Sequence, residues 1–304
     1  MSLVATLICN PANPALDTTI VDGALAVLPS PGSAQWLFDE VAVDIPFEGQ
    51  VRSPNDIKEL EARLQKARGD LPIDIVVQPV AARRKKLFLA DMDSTMIGQE
   101  CIDELADHVG VKEHVAAITE RAMRGDIEFA PALRERVALL KGLRATAVDE
   151  VIDERIRLTS GARTLVATLR GNGAYTCLVT GGFTLFSRRI AALIGFDENR
   201  ANTLVIDGDG RLTGDVSEPI FGREAKLATL IELTRKLALT PERTLVAGDG
   251  ANDIAMIQAA GLGVAYHAKP KVAEAAAARI DHGDLTALLY AQGYRRDEFV
   301  SVEG

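Results

Sequence analysis

The sequence predicts an α/β protein with a Rossmann-like parallel-sheet core, a helical lid domain inserted into that core, and a small ferredoxin-like α+β domain before it. Three observations support this prediction. After residue 86, short apolar runs alternate with helical patterns, which is typical of a parallel sheet covered by helices. The block 98–160 is helical throughout and too long for a simple strand-to-helix connection. Residues 1–82 follow the order β-α-β-β-α-β.

The N-terminal domain, residues 1–82, is predicted from the order of its elements. Residues 3–9 and 73–80 form apolar strand patterns, and residues 36–45 contain one or two short strands. Residues 16–28 fit a helix, and Ile57, Leu60 and Leu64 recur at helical spacing after a Ser-Pro-Asn start signal. We interpret the basic run 83–86 as a solvated linker to the next domain.

The second domain, residues 83–304, is predicted to consist of a core (83–97 and 161–304) and a lid (98–160). Core strands are expected at 87–90, 175–180, 244–248 and 263–266, and a hairpin at 203–216 with its turn at 207–210. Apolar residues at helical spacing mark two lid helices. These residues are Ile102, Leu105, Val109, Leu133, Val137 and Leu140.

Composition and charge restrict the class of protein. The chain is 47% hydrophobic and 25% charged, which is enough apolar material for packed cores. The net charge of -9 argues against nucleic acid or an anionic membrane as the main partner. Three widely spaced cysteines form no disulfide framework, and the N-terminus shows no signal-peptide pattern. We therefore expect a cytoplasmic protein.

The first core strand ends in a pair of aspartates. Asp91 and Asp93 are one residue apart and are followed by two hydroxyl residues, Ser94 and Thr95. Two carboxylates at the edge of a sheet repel each other and lose solvation, and a bound cation such as Mg²⁺ offsets both effects. The same spacing also occurs in turns and helix caps, so this segment alone leaves a catalytic and a structural interpretation open.

Polar groups also follow the next two core strands. Thr180, Gly181 and Gly182 supply a hydroxyl and a backbone that a phosphate can approach closely. The segment 249–253 supplies further carboxylates, and Lys226 precedes that strand. Each piece taken alone has a structural alternative: a plain turn, a helix cap or a solvated lysine. Because parallel strands end at one sheet edge, we expect these groups to meet.

In this order, the segments resemble the four motifs of the haloacid dehalogenase superfamily of phosphohydrolases, and within it the phosphoserine phosphatases. The resemblance covers about residues 84–290. It rests on Asp-Met-Asp-Ser-Thr at 91–95 with Glu100, the lid stretch 129–142, Thr-Gly-Gly-Phe at 180–183, and Gly-Asp-Gly-Ala-Asn-Asp at 248–253. The N-terminal domain resembles ACT-like domains by its pattern of elements alone.

The resemblance implies the reaction and the roles of the aspartates. Asp91 would form an aspartyl phosphate, and Asp93 would protonate the leaving seryl oxygen and later deprotonate the attacking water. Asp91, the main-chain carbonyl of Asp93, and Asp249 would hold Mg²⁺. Asp253 would orient the metal site or Lys226. The substrate implied is O-phosphoserine, hydrolysed in the last step of serine biosynthesis.

The resemblance also implies how the substrate is bound. Glu100 would meet the ammonium and Arg136 the carboxylate of the substrate, with Arg134 as the competing arginine. Met123 and Phe129 would line the lid. The groups expected to bind phosphoryl oxygens are Thr180, the amide of Gly181, Lys226 and Asn252.

This sequence departs from the family pattern at two places. Thr180 stands where these enzymes often have serine, which keeps the hydroxyl and adds a methyl group. Segment 10–14 contains no glycine, whereas ligand-binding ACT domains usually have one in this loop, so dimerisation is at least as good an interpretation of the first domain as serine binding. A phosphotransferase acting on an amino-acid alcohol such as homoserine, and an amino-acid-binding regulatory protein, are the alternative functions.

Overall fold

The computed structural model describes residues 2–49, 54–124 and 126–302. In the N-terminal domain the strands form one antiparallel sheet in the order β2-β3-β1-β4. Its elements are β1 (Ser2–Cys9), α1 (Thr18–Val27), β2 (Gln35–Phe38), β3 (Ala42–Glu48), α2 (Pro54–Arg68) and β4 (Ile73–Pro79). This is the expected order of elements, so the ferredoxin-like prediction is confirmed. The side chain of Asp17 caps α1 by accepting the N–H of Ile20.

The core domain contains a six-stranded parallel sheet in the order β12-β11-β10-β5-β6-β7. Its strands are β5 (Leu87–Ala90), β6 (Tyr175–Phe183), β7 (Glu198–Asn202), β10 (Thr244–Gly248), β11 (Leu262–Tyr266) and β12 (Ala278–Ile280). Its helices are α7 (Ala162–Gly171), α8 (Thr184–Ile194), α9 (Arg223–Lys236), α10 (Ile254–Ala259), α11 (Pro270–Ala275) and α12 (Ala287–Ala291). β5 lies where the strand order reverses, which is where open α/β sheets form a crevice.

Four helices lie between β5 and α7 and form the lid, as the sequence predicts. They are α3 (Cys101–His108), α4 (Lys112–Arg124), α5 (Phe129–Ala138) and α6 (Ala147–Arg155). An isolated antiparallel bridge between Ile97 and Leu158 joins the two segments by which the chain enters and leaves the lid. The predicted hairpin is present as β8 (Leu204–Ile206) and β9 (Leu212–Val216), and the backbone of Leu212 bonds to Gly142 and Leu143 at the far end of the lid.

The outer strand β7 is not predicted by the sequence, because its residues are polar. Glu198, Arg200 and Asn202 occupy positions where a buried strand would carry apolar side chains. Their polar groups are paired instead: the Arg200 guanidinium lies 2.6 Å from Glu198 and 2.7 Å from Glu232 of α9. Side-chain pairing across the sheet edge therefore replaces apolar packing.

The basic run 83–86 is not a solvated linker, which corrects the expectation from sequence. The Arg83 side chain is only 13% exposed and donates to both carboxylate oxygens of Asp44 in β3, to the hydroxyl of Thr6 in β1, and to the carbonyl of Ala291 in α12. Lys85 is also buried and donates to the carbonyl of Glu242. Arg83 therefore joins the two domains, and Lys85 fixes the run to the second domain.

The two sheets approach each other edge to edge at the same junction. β4, an outer strand of the first sheet, contacts β12, an outer strand of the second. The Asp74 carboxylate in β4 accepts backbone N–H groups of Asp281, His282 and Gly283 after β12. These bonds satisfy donors at a sheet edge that would otherwise be open. Among the described residues, no helix is both long and apolar enough to cross a membrane.

Candidate active site

A cavity of about 780 Å³ lies between the ends of β5, β6 and β10 and the lid helices. Its charged wall residues come from the strand ends, from lid helices α3 and α5 with the residue before α3, and from the segment after β11. They are Asp91, Asp93, Glu100, Asp103, Arg136, Asp249, Lys269 and Lys271. The structure therefore brings the predicted motifs together at one edge of the sheet.

Lys226 of α9 lies between two buried aspartates. Its Nζ is 2.8 Å from Asp91 Oδ1 and 2.8 Å from Asp253 Oδ1, and its side chain is fully buried. Gly248 makes this arrangement possible, since a Cβ at that position would come within 2.5 Å of the Asp253 carboxylate. The Lys226 ammonium group therefore forms ion pairs with two buried carboxylates.

Asp91, Asp249 and Asp253 form an aspartate cluster, in which one carboxylate oxygen of each residue lies within 4.8 Å of the others. Burial raises the pKa of Asp91 well above its ordinary value, the charge of Asp253 raises it further, and Lys226 opposes both. Burial also raises the pKa of Asp249 to about 6, although its hydrogen bond from Thr95 opposes the shift. The cluster carries more negative charge than Lys226 neutralises, and its oxygen atoms suit a hard divalent cation.

Asp93 has different surroundings from Asp91. Its Oδ1 is buried without a hydrogen-bond partner among the described residues, and its Oδ2 lies beside Gly182. Burial and, to a smaller extent, the charge of Glu100 raise the pKa of Asp93 to about 7, and hydrogen bonding to Cys101 opposes the shift. A carboxyl group that exchanges its proton near neutral pH is suited to general acid–base chemistry.

Hydrogen-bond donors for an anion lie beside these carboxylates. Thr180 Oγ1 accepts the N–H of Gly182 at 2.9 Å, which leaves the hydroxyl hydrogen free to be donated. The side chain of Asn202 donates to the carbonyl of Gly181 at 2.8 Å and so fixes the end of β6. Asn252 lines the cavity beyond β10. Donors held in this way can stabilise negative charge on a bound phosphoryl group.

Phe129 of the lid rests against two glycines of the core. A Cβ at Gly181 would lie 3.2 Å from Phe129 Cζ, and a Cβ at Gly222 would lie 3.3 Å from the same ring. Side chains at either position would push the lid away from the strand end. The absence of a side chain at these two positions therefore lets the aromatic ring cover this side of the cavity.

Of the two arginines predicted to compete for the substrate carboxylate, Arg136 lines the cavity and Arg134 does not. Arg134 forms an ion pair with Glu218, and both side chains are more than half exposed, at 52% and 58%. Glu100 also faces the cavity, and its carboxylate accepts a hydrogen bond from the hydroxyl of Ser94 at 3.0 Å. Glu100 and Arg136, one acidic and one basic side chain, therefore line the same cavity.

Some residues of the site were not selected from the sequence. Lys269 and Lys271 follow the fourth predicted core strand, so the rule that places sites at strand ends could have found them. Asn202 carries no such signal, because it lies in the polar strand that the sequence does not predict. The side chain of Met123, on α4, lies outside the described residues.

Comparisons with known proteins identify similar chains. The family of haloacid dehalogenase-like hydrolases matches residues 88–258. The phosphoserine phosphatase of Polaromonas sp. is 47% identical over 209 residues, which are 67% of this chain and 88% of that protein.

Two solved structures are similar to the fold. A haloacid dehalogenase-family hydrolase from Salmonella enterica serovar Typhi superposes with a TM-score of 0.84 at 26% identity and covers 98% of this chain and 99% of that one. A phospho-aspartyl intermediate analogue of a phosphoserine phosphatase has a TM-score of 0.62 at 40% identity and covers 68% of this chain and 98% of that one. The first similarity extends over both domains, and the second over about two thirds of this chain.

Proposed function

The chain belongs to the haloacid dehalogenase-like hydrolases, and we propose that it is a Mg²⁺-dependent phosphoserine phosphatase, which completes serine biosynthesis by hydrolysing O-phospho-L-serine to serine and phosphate. The observation that carries this proposal is the unlike pair Asp91 and Asp93. Asp91 is paired with Lys226, whereas Asp93 has an unpartnered oxygen and a pKa of about 7. One carboxylate is thus suited to attack and the other to proton transfer.

We propose the following roles for this pair. Asp91 attacks phosphorus, the bond to the seryl oxygen breaks, and Asp93 gives its proton to that oxygen, which leaves an aspartyl phosphate. Asp93 then takes a proton from water, the water oxygen bonds to phosphorus, and phosphate leaves Asp91. Lys226 keeps Asp91 in position and adds positive charge beside the phosphoryl group.

The acidic excess of the aspartate cluster supports a bound cation. Asp91, the main-chain carbonyl of Asp93, and Asp249 are the proposed Mg²⁺ ligands. When bound, the ion supplies positive charge that offsets the repulsion between the carboxylate nucleophile and the phosphate. Asp253 accepts hydrogen bonds from Lys226 and from the N–H of Gly250, which supports a positioning role.

The remaining cavity residues support an amino-acid phosphate as the substrate. The proposed donors to the phosphoryl oxygens are the hydroxyl of Thr180, the amide of Gly181, Asn252 and Lys226. Glu100 would bind the ammonium and Arg136 the carboxylate, which a planar guanidinium can hold with two hydrogen bonds. Phe129 would exclude water when substrate is bound.

The experiment that tests the function measures phosphate release from O-phospho-L-serine with Mg²⁺. We expect Asp91→Asn to lower kcat by at least about 10³-fold, because the nucleophile is removed. Asp209→Asn, in the exposed hairpin turn, is the control and should keep the activity. Substantial turnover by Asp91→Asn would refute the proposed nucleophile. Adding homoserine to the same assay distinguishes hydrolysis from phosphoryl transfer, since transfer would yield a phosphorylated acceptor.

We also propose that residues 1–82 support a homodimer, whereas residues 83–304 form the phosphatase. β2 is the outer strand of the N-terminal sheet, opposite the edge that meets the core, and outer strands can pair with another chain. Light scattering of the full chain tests this proposal. A mass of twice 32.6 kDa is expected, and a monomer at assay concentration would contradict it.

A further inference from the structure

The walls of the cavity carry more carboxylates than basic side chains, which opposes the approach of an anionic substrate. The whole chain has a net charge of -9, and five of the eight charged side chains that line the cavity are carboxylates. A phosphomonoester is close to a dianion at neutral pH, since its second pKa is about 6. This inference rests on the proposed function, because only an anionic substrate must overcome this repulsion.

Two lysines stand on the core side of the cavity. Lys269 and Lys271 follow β11, and both are exposed and line the cavity wall. The backbone N–H of Lys269 donates to the carbonyl of Asp249 at 3.3 Å, so this residue lies beside the aspartate cluster. Lys271 is two residues further along, in the first turn of α11, and lines the same cavity.

No ion pair between described residues involves either lysine. Two other basic side chains of the chain are held in ion pairs: Lys226 contacts two aspartates, and Arg83 contacts Asp44. Lys269 acts electrostatically on Asp249, but an ammonium group that forms no ion pair with a described residue can still turn toward an incoming anion. On the lid side of the cavity, Arg136 likewise forms no ion pair with a described residue.

We propose that Lys269 and Lys271 form a cationic rim that draws the phosphate dianion of the substrate into the cavity and orients it toward Asp91. Arg136 on the lid side would receive the carboxylate, so the substrate enters with its two anionic ends directed to opposite walls. Charge at a cleft mouth raises the local concentration of an oppositely charged ligand and its rate of association. The rim acts before the chemical step, so it changes kcat/KM and leaves kcat nearly unaltered.

The two lysines should differ in how strongly salt weakens them. Lys271 is two residues beyond the backbone contact to Asp249, and the effect of an exposed lysine on an approaching dianion is screened within about 10 Å at 0.1 M salt. Lys269 lies beside Asp249 and is still close when the phosphate has arrived. We therefore expect Lys271 to act on association, and Lys269 to act on both association and binding.

The test uses the full chain and the variants Lys269→Gln, Lys271→Gln and the double variant. At about 20 mM ionic strength we expect each single variant to lower kcat/KM for O-phospho-L-serine about 2–5-fold and the double variant about 10-fold. The kcat should stay within about 2-fold, and most of the difference should disappear at about 0.5 M salt. Lys236→Gln, at the far end of α9, is the control for losing one exposed lysine. Lys269→Arg and Lys271→Arg should restore kcat/KM.

Two results would overturn the proposal. One is a double variant with the wild-type kcat/KM at low salt. The other is a loss of kcat that arginine does not rescue and salt does not change, which would indicate a structural role.

Failure of the proposed function is recognised separately. If the wild-type chain does not hydrolyse O-phospho-L-serine, the function is wrong. Calorimetric titration with inorganic phosphate in the presence of Mg²⁺ then still tests the rim. Weaker phosphate binding by the double variant than by Lys236→Gln supports the rim, and equal binding refutes it.

Discussion

The domain junction and the active site both hold charged groups away from water, but they differ in how fully those groups are hydrogen-bonded. At the junction, the Arg83 guanidinium donates to two oxygens of Asp44, one hydroxyl and two main-chain carbonyls. In the active site, Lys226 pairs with two of the three clustered aspartates, Asp249 accepts a hydrogen bond from Thr95, and Asp93 Oδ1 has no partner among the described residues. Fully paired charges fix a docking geometry, whereas incompletely paired charges leave atoms available for a ligand or a proton.

The largest effect should come from removing the one positive charge of the aspartate cluster. In Lys226→Met, Asp91 and Asp253 would face each other without a counter-charge. We expect kcat to fall by at least about 10³-fold, and the free energy of unfolding without Mg²⁺ to fall by about 3–5 kcal/mol, as for a broken buried ion pair. Phosphate release and urea unfolding measure the two effects.

Lys236→Met is the matched control for this variant, since it removes an exposed lysine from the same helix. It should change neither quantity by much. A Lys226→Met protein with wild-type stability would show that the aspartates do not depend on this ammonium.

Removing Arg83 from the domain junction should lower the stability of the protein and leave kcat nearly unchanged. Arg83→Met leaves the buried carboxylate of Asp44 with the hydroxyl of Thr6 as its one side-chain donor among the residues that the structure describes. We expect the free energy of unfolding to fall by about 2–4 kcal/mol and kcat of the folded protein to stay within about 2-fold. Arg84→Met is the neighbouring control. Its ion pair with Glu298 is 42% and 34% exposed and should contribute about 1 kcal/mol or less. Equal losses in the two variants would contradict a specific role for Arg83.

The same contrast explains which parts could be predicted from the sequence. The residues at 91–95, 180–182 and 249–253 were predictable because each motif is local and the end of a parallel strand assigns it to one sheet edge. The contacts of Arg83 could not be predicted because its partners Thr6, Asp44 and Ala291 are far away in sequence. A basic run at a domain boundary is typical of a solvated linker. β7 was missed for a similar reason, since the pairing of Arg200 with Glu232 replaces the apolar pattern that marks a strand.

Arg136 provides a second arginine for comparison with Arg83. Its hydrogen bonds are long, at 3.3 Å to the carbonyl of Ala132 and 3.4 Å to the hydroxyl of Thr119, so its guanidinium can turn toward a ligand at small cost. We expect Arg136→Met to raise KM for O-phospho-L-serine about 10–100-fold with little loss of stability. Arg134→Met should change KM less than about 2-fold, because Arg134 pairs with Glu218 outside the cavity. The reverse ranking would assign carboxylate binding to Arg134.

Glu61 tests whether a buried carboxylate with few hydrogen bonds, outside the active site, affects stability alone and not kcat. It lies on α2 in the cleft between the domains, and its carboxylate accepts a hydrogen bond from the N–H of Val77 at 3.3 Å. Burial raises the pKa of Glu61 from 4.5 to about 7, against the opposing effects of Val77 and Lys58. Between these two pH values the folded chain binds more protons than the unfolded chain, so this group lowers stability as pH rises through that window.

Glu61→Gln should therefore leave stability nearly unchanged at about pH 5 and increase it by about 1 kcal/mol at about pH 8, where the wild-type side chain must carry its charge in the cleft. Glu59→Gln, exposed on the same helix, should show no such pH-dependent difference. Urea unfolding at the two pH values measures both. An unchanged kcat in Glu61→Gln would show that a buried carboxylate with few hydrogen bonds is not by itself a sign of a catalytic role. Such a role would also require a cavity with hydrogen-bond donors and a nucleophile. A loss of kcat would instead mean that the cleft between the domains is coupled to the active site.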